Sequence, residues 1–275
     1  MVITVTGRRS GIAPIARNIH TVTMNHMCVC PDKVRINKFI SDSGFCSRRD
    51  ADYDIEQGRV TVDGVIAAKG MLVSEDQDIR VEGRRIHSAA KMILIAVNKP
   101  VGIVSTSEVR EKDNIVDFLN HPKRIFPMGR LDKDSEGLIL MTNDGDLVNM
   151  MMRSRYVHEK EYIVTVHKTI TKAFIEKMGA GVPILGTVTR KCLIERIGNK
   201  KFRIILTQGL NRQIRRMCEH LGYEVVRLKR TRIMNIELGD LKEGEYRDVT
   251  EDERKVLFRM LEGSTDDAPL KKIEK

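Results

Sequence analysis

The sequence predicts a protein of mixed α and β structure in about two domains. Three observations support this prediction. The chain has 275 residues, more than one typical domain needs. Its front part has two short helical patterns and a hairpin pattern, and its longer remainder mixes apolar strands with amphipathic helices. A segment of about 150 residues buries roughly 70% of its unfolded surface, which is enough for a stable core without disulfides.

Two helices are predicted at the front. Apolar residues recur at helical spacing between Ile36 and Ile40, and Gly44 offers a stop. Ser47 is a good N-cap for a second helix, because Asp50 follows three residues later as in a capping box.

A hairpin follows these helices. Val60 and Val62 alternate up to Asp63-Gly64, a strong turn signal, and Val65 begins the return strand. Basic side chains are concentrated in and around the two helices, where they could contact phosphates, although a solvated surface explains them equally well. They are Lys33, Arg35, Lys38, Arg48, Arg49 and Arg59.

The remainder, roughly residues 91–261, begins with the strand pattern MILIAVNKPVGIVST, whose Asn-Lys-Pro turn would bring Lys99 near a ligand or expose it to water. EYIVTVHK, residues 161–168, alternates as a strand and puts Tyr162 on one face with Val164 and Val166. KFRIILTQG predicts another strand.

NRQIRRMCEHLG, residues 211–222, predicts a helix that Asn211 can cap and Gly222 can stop. Arg212, Arg215 and Arg216 share one side of it. Three guanidinium groups there repel one another unless they are exposed to water or face an anion, such as a phosphate or Asp132.

Residues 126–146 contain a turn-rich loop between two apolar runs, with Asp132 beside Arg130 in the loop. The first run ends at residues 126–128, and the second, residues 138–141, predicts a buried strand. Gly129 and Gly137 can adopt backbone angles that are closed to other residues. On composition alone this segment is an ordinary turn, and Asp134 is an equal rival to Asp132 as a displayed carboxylate.

The charge favours a polyanionic partner. The formal net charge is +10, from 48 Lys and Arg against 38 Asp and Glu. An acidic membrane surface could use the same charge, but there is no run of about 18 apolar residues, and the basic residues are not confined to one amphipathic helix. Nucleic acid is therefore the expected partner, and no association with a membrane is expected.

The cysteine pattern predicts no disulfides. Five cysteines are scattered along the chain, which favours reduced thiols in a cytoplasmic compartment. A zinc site is improbable, because the one-residue gap between two of the candidate ligands differs from the usual spacing of two to four. Those candidates are His20, His26, Cys28 and Cys30. Residues 1–32 are basic, lack a sustained apolar period and are expected to be a disordered extension.

Two resemblances follow from longer motifs. INKFI, then G-x-C-S-R-R-D-A, then I-x-x-G-R-V-x-V-D-G resemble the S4-type RNA-binding domain, which uses two helices against folded RNA. GRLDKDSEGLILMTNDGD, EKEYIVTV and QGLNRQIRRMCEHLGYEV together resemble the RNA pseudouridine synthases, in the RsuA branch that carries this domain in front and acts on ribosomal RNA.

The resemblance implies an α+β fold in which the catalytic domain has a mostly antiparallel mixed sheet. It implies an RNA-binding domain at 33–90, a catalytic domain at 91–262 and a charged tail at 263–275. It also implies a monomer without metal or other cofactor, with ribosomal RNA as substrate and a tyrosine transfer-RNA anticodon as an open second substrate.

The resemblance also assigns the site. Asp132 is the essential carboxylate, which either adds to the anomeric carbon of the target uridine or removes the 2′ proton to give a glycal. Arg215 favours its ionised form, and Tyr162 packs on the base and takes the final proton from carbon five.

Base flipping and RNA contacts complete the implied site. Arg130 would fill the stack that the flipped base leaves. The residues expected to contact RNA are Arg130, Leu131, Asn211, Arg212, Gln213, Lys38, Arg48, Arg49 and Arg230, and Lys229 and Arg232 are further phosphate contacts. Two other classes compete with this interpretation: a non-catalytic RNA-binding or ribosome-assembly factor, and a nucleoside or RNA hydrolase that releases free base.

Overall fold

The computed structural model describes residues 33–87, 91–108, 110–152 and 158–262. We call residues 33–87 the front module and residues 91–262 the main part. The basic extension, its candidate zinc ligands and the charged tail lie outside the described residues.

The front module has the predicted helices and hairpin. Ser47 and Asp50 form the capping box of the second helix. Asp63 and Gly64 both have positive φ, 51° and 81°, as a two-residue hairpin turn requires. The elements are Val34–Arg35 (β1), Ile36–Asp42 (α1), Arg48–Glu56 (α2), Val60–Val62 (β2), Val65–Ile66 (β3), Leu72–Val73 (β4), Ile79–Val81 (β5) and Arg84–Arg85 (β6).

The main part contains the longer elements. Its strands are Leu94–Lys99 (β7), Phe126–Met128 (β8), Glu136–Thr142 (β9), Lys160–Val166 (β10), Pro183–Ile184 (β11), Thr187–Val188 (β12), Leu193–Gly198 (β13), Lys201–Leu206 (β14), Val225–Ile233 (β15), Ile236–Glu237 (β16) and Tyr246–Asp248 (β17). Its helices are Ile115–Leu119 (α3), Gly145–Met152 (α4), Lys172–Ala180 (α5), Gln213–His220 (α6) and Glu251–Glu262 (α7).

One nine-stranded sheet organises the main part. Seven strands run in the order β13-β14-β10-β15-β9-β7-β17, with β8 on β9 and β16 on β15. The pairs are antiparallel except β9 with β15, which is parallel. The predicted α+β class and mostly antiparallel mixed sheet are therefore confirmed.

Strand β9 is covered on both faces, and all seven of its residues are buried. Leu138 and Leu140 pack in a cluster with α4 and α7. Ile139 and Met141 pack in another cluster that includes Ile115 of α3. The strand is thus a fixed support for the loop that precedes it.

The predicted cap of α6 is wrong. Arg212 occupies the N-cap position with a left-handed φ of 49°, and its side chain makes no capping bond. The Asn211 carbonyl instead accepts a hydrogen bond from Arg216 Nε at 3.1 Å, and Gln213 Oε1 accepts from the Leu210 N–H at 3.0 Å. With Arg212 as the N-cap, the helix begins at Gln213, two residues after Asn211.

Candidate active site

Residues 129–135, between β8 and β9, form a loop that displays Asp132. The Ser135 N–H donates to the Asp132 carbonyl at 3.0 Å and closes a turn. Ser105 Oγ donates to the Leu131 carbonyl at 3.0 Å and accepts from the Leu131 N–H at 3.1 Å. The backbone is therefore fixed on both sides of Asp132, whose side chain remains 33% exposed.

Two arginines of α6 and its N-cap face this loop. Arg212 Nη1 lies 3.6 Å from Asp132 Oδ2. The same guanidinium donates two hydrogen bonds to the Asp134 carboxylate, at 3.1 and 2.9 Å. These bonds hold the pKa of Asp134 below its usual value. Asp134 therefore takes most of the arginine hydrogen bonding and leaves Asp132 with one longer contact.

Arg215 has a different partner from the one that we expected. Its Nη2 donates to the Asp134 carbonyl at 2.7 Å, and its Nε lies 3.3 Å from Asp134 Oδ2. Within 4 Å, the ion pair of Asp132 among the described residues is with Arg212. The sequence predicted that arginines of this helix would face an anion, but it could not tell which arginine meets which carboxylate.

A row of aligned residues crosses the sheet beneath the loop. Tyr162 of β10 is the Cα partner of Arg230 of β15. Arg230 is also the Cα partner of Gly137 of β9. On its other side, Gly137 is the Cα partner of Lys99 of β7. Partners in adjacent strands project to the same face. Tyr162, Arg230 and Lys99 therefore lie on one face, with only a hydrogen atom at Gly137 between the two cations.

Lys99 and Arg230 are both buried, at 0% and 2% exposure. The sequence predicted that Lys99 would lie near a ligand or be exposed to water. Its side chain is instead buried, and its Nζ donates to the Pro100 and Ile103 carbonyls, each at 2.7 Å. Burial, reinforced by the charge of Arg230, lowers the pKa of Lys99 to about 8. Arg230 cannot reach a phosphate from this position, so its predicted RNA contact is wrong for this conformation.

The other predicted RNA contacts differ in their exposure. Arg130, Arg48, Arg49, Asn211 and Arg212 are exposed. Leu131 and Gln213 are buried and support the loop and the start of α6. Lys229 is partly exposed.

Two predicted phosphate contacts already have acidic partners. Lys38 pairs with Asp42 and, at 3.0 Å, with Asp146 of α4. Arg232 lies 3.1 Å from Glu159 and 3.6 Å from Glu161. Neither is a free surface cation, and nothing in the local sequence of either residue reveals these long-range pairs.

A cavity of about 470 Å³ lies along α6 and the segment that follows it. Arg212 and Arg215 line it from one side, and His167 and Tyr223 from another. Glu219 and Glu224 add acceptors, so the cavity offers both donors and acceptors to a polar ligand.

Within the described ranges, no helix is long and apolar enough to cross a membrane. Nor do three or more His, Cys, Asp or Glu side chains there form a group that could hold a metal ion.

Comparisons with known proteins agree with both predicted resemblances. The family model described as RNA pseudouridylate synthase matches residues 93–220. The S4 domain model matches residues 34–79.

Among curated relatives, the "Dual-specificity RNA pseudouridine synthase RluF" of Salmonella typhi is 60% identical over 236 residues, covering 85% of this chain and 82% of the relative. The protein of the same name from Escherichia coli K12 is 58% identical over 86% and 82% of the two chains. The "Ribosomal large subunit pseudouridine synthase B" of Bacillus subtilis is 33% identical over 81% and 95%.

A solved structure titled "Crystal structure of pseudouridylate synthase" superposes with a TM-score of 0.59 at 27% identity, covering 81% of this chain and 98% of the other. The motifs, the sheet that supports the Asp132 loop and these likenesses agree. The chain therefore belongs to the RNA pseudouridine synthases, the enzymes that isomerise uridine in RNA to pseudouridine.

Proposed function

We propose that this enzyme modifies a specific uridine of large-subunit ribosomal RNA, with Asp132 as the catalytic carboxylate. The observation that carries the proposal is the display of Asp132 on a hydrogen-bonded turn next to Arg212, in the family motif that supplies the carboxylate. The name of the Bacillus subtilis relative supports the ribosomal substrate.

In the proposed reaction the bond between ribose carbon one and uracil nitrogen one breaks, and the uracil rotates within the site. Carbon five then bonds to the ribose and loses its proton, and nitrogen one, released from the ribose, gains a proton, so that the product is an isomer of uridine. Asp132 acts either by adding to the anomeric carbon or by removing the 2′ proton, and both routes need its ionised form. Arg212 Nη1 lies 3.6 Å from Asp132 Oδ2 and is the basic group that faces the reacting carboxylate.

Arg215 acts indirectly in this proposal. It holds the Asp134 carbonyl and lies 3.3 Å from Ser135 Oγ, and so it stabilises the turn that carries Asp132. Tyr162 is half-buried on the same face of the sheet as the row beneath the loop. We assign it to packing on the base and to accepting the proton from carbon five.

Access to the base has a separate cost. A stacked uridine must leave the helix, which costs a few kcal/mol. Arg130 is exposed within the loop, two residues before Asp132, and is suited to stack in the vacated position. The exposed Arg48 and Arg49 of the front module, together with Lys229, supply phosphate contacts that offset this cost.

The proposed organisation is an RNA-binding domain at 33–90 and a catalytic domain at 91–262, acting as a cytoplasmic monomer. The term "dual-specificity" in the names of the two RluF relatives supports a second RNA substrate. We take that substrate to be the anticodon loop of a tyrosine transfer RNA.

Tritium release from uridine labelled at carbon five tests the chemistry. Wild-type protein should release tritium from ribosomal RNA without liberating uracil, and Asp132→Ala should release none. Free uracil would indicate a hydrolase. Absence of release by the wild type would favour a binding or assembly factor, and release by both proteins would remove Asp132 from the mechanism.

Mapping pseudouridine in cells that lack the protein tests the substrates. We expect one site to disappear from large-subunit ribosomal RNA and one from tyrosine transfer RNA. Loss from only one RNA class would remove the other substrate.

A further inference from the structure

Arg230 holds both arms of the loop that displays Asp132. Its Nε donates to the carbonyl of Leu138, at the start of β9, at 2.6 Å. Its Nη1 donates to the carbonyl of Arg130, two residues before Asp132, at 3.4 Å. One guanidinium therefore connects the chain that enters the loop with the chain that leaves it.

The strands meet unusually closely at this point. The parallel pairing of β9 with β15 covers only two residue pairs, and the second joins Arg230 to Gly137. A Cβ atom at Gly137 would lie 2.3 Å from the Arg230 carbonyl oxygen. Beyond this pair the Leu138 carbonyl bonds to the Arg230 side chain. The guanidinium thus supplies a further hydrogen bond between β15 and β9 where their backbone pairing ends.

Arg230 also connects the loop with the strand of Tyr162, its Cα partner on β10. The same residue therefore contacts the backbone around Asp132 and lies in register with Tyr162. The separation of those two side chains depends on the β10–β15–β9 path through Arg230.

Stability does not explain this arrangement. The Arg230 side chain is buried, at 2% exposure, yet it takes part in none of the ion pairs among the described residues. Its Nη2 is buried without a hydrogen-bond partner. A charge that is buried without an ionic partner is costly, and an unsatisfied buried donor is itself unfavourable.

We propose that Arg230 is a positioning residue, which sets the distance between Asp132 and Tyr162 by fixing both arms of the catalytic loop to the strand beside Tyr162. This inference rests on the proposed roles of Asp132 and Tyr162. It replaces the contact to an RNA phosphate that the sequence suggests for the same residue.

Two substitutions distinguish a positioning role of Arg230 from a contact to an RNA phosphate. Arg230→Lys keeps the charge, but its single ammonium group lacks the fork that reaches two carbonyls. Arg230→Met removes the charge and keeps much of the volume. We expect both to lower the single-turnover rate at saturating enzyme by about 10- to 100-fold, since a displacement of about 1 Å can cost that much. The dissociation constant for ribosomal RNA and its salt dependence should not change.

Lys201→Met is the matched control, because Lys201 is an exposed cation on the same sheet. It should keep the wild-type rate. Rates are compared at a temperature well below the midpoint of thermal unfolding of each variant. Arg230→Lys should unfold at the same midpoint as the wild type.

Three results would overturn the proposal. A weaker affinity, with a salt slope reduced by about one and an unchanged saturating rate, would make Arg230 a phosphate contact. A wild-type rate for Arg230→Lys would remove the need for the fork. Loss of cooperative unfolding in both variants would make the residue purely structural. Asp132→Ala in the same assay distinguishes these failures from a failure of the proposed mechanism, because activity in that variant would reject Asp132 itself.

Discussion

The two carboxylates of the loop differ in what surrounds them. Asp134 receives two hydrogen bonds from Arg212 and faces Arg215. Asp132 keeps its side chain one-third exposed, with one ion pair at 3.6 Å. A carboxylate that must approach a ribose needs an oxygen that is not already bonded. In the proposed mechanism Asp134 therefore orders the arginines, and Asp132 remains available to react.

Lys99 gives a pH prediction at the same scale. Burial, with the charge of Arg230, lowers the pKa of folded Lys99 to about 8, against 10.5 for the ordinary side chain. Between these values the unfolded chain binds the proton and the folded protein releases it. The contribution of Lys99 to the free energy of unfolding therefore rises with pH across this window.

The measurement compares urea unfolding of wild type and Lys99→Met below, within and above the window. The wild type should gain stability relative to the variant as the pH rises, by as much as about 3 kcal/mol. Groups that titrate equally in both proteins cancel in this difference. A difference that does not depend on pH would show that the buried amine does not titrate in this range.

At the scale of elements, local signals were sufficient for most of the fold. The capping box of α2 and the Asp-Gly turn between β2 and β3 are determined by neighbouring residues, and both predictions are confirmed. The buried run of β9 is also confirmed. The start of α6 was missed because Arg212 takes the N-cap position with a left-handed φ, while the Asn211 side chain accepts a hydrogen bond from Arg216 Nη2 instead.

The candidate site was less predictable than its supporting elements. Motifs identified Asp132 and the arginine cluster, but the partners of those arginines lie 78 to 81 positions away in the chain. The support of Leu131 by Ser105 has no sequence signal. The burial of Arg230 also follows from tertiary packing, whereas its position in a basic segment suggested a surface contact.

The junction of β9 and β15 gives a stability prediction. Gly137 has a φ of +102°, and an added Cβ would lie 2.3 Å from the backbone oxygen of Arg230. Neither backbone can yield easily, so Gly137→Ala should destabilise the protein by about 4 kcal/mol or more. Urea unfolding measures this loss.

Gly186→Ala is the matched control. Gly186 also has a positive φ, +73°, but no atom lies within 4 Å of the added carbon. Backbone strain alone should cost about 1–2 kcal/mol there. Equal losses at the two positions would show that the close strand contact is not what requires glycine at 137.

Across the whole molecule, positive charge serves two purposes. The formal net charge of +10 favours association with RNA. Some cations, however, link parts of the protein. Lys38 of the front module lies 3.0 Å from Asp146 of the main part, and Arg124 Nη1 lies 3.5 Å from Ser41 Oγ. Counting basic residues therefore overestimates the surface that is available to phosphates.

The salt dependence of RNA binding tests this distinction. Arg49 is exposed at the start of α2, and Arg49→Gln should weaken binding and reduce the salt slope by about one. Lys38→Gln removes a cation that is already paired with Asp42 and Asp146, so it should change the slope much less. If Lys38→Gln reduced the salt slope as much as Arg49→Gln does, relative to wild type, the assignment of Lys38 to the link between the front module and the main part would be contradicted.

The central claim is that Asp132, rather than its neighbour Asp134, performs the chemistry. The most direct measurement is the single-turnover release of tritium from carbon-five-labelled ribosomal RNA by wild type, Asp132→Asn and Asp134→Asn, which change charge with little change in shape. Asp132→Asn should release none while still binding RNA, and Asp134→Asn should release tritium at a reduced but measurable rate, because it disturbs the Arg212 and Arg215 contacts without removing the reacting group. Turnover by Asp132→Asn, whatever the activity of Asp134→Asn, would contradict the account.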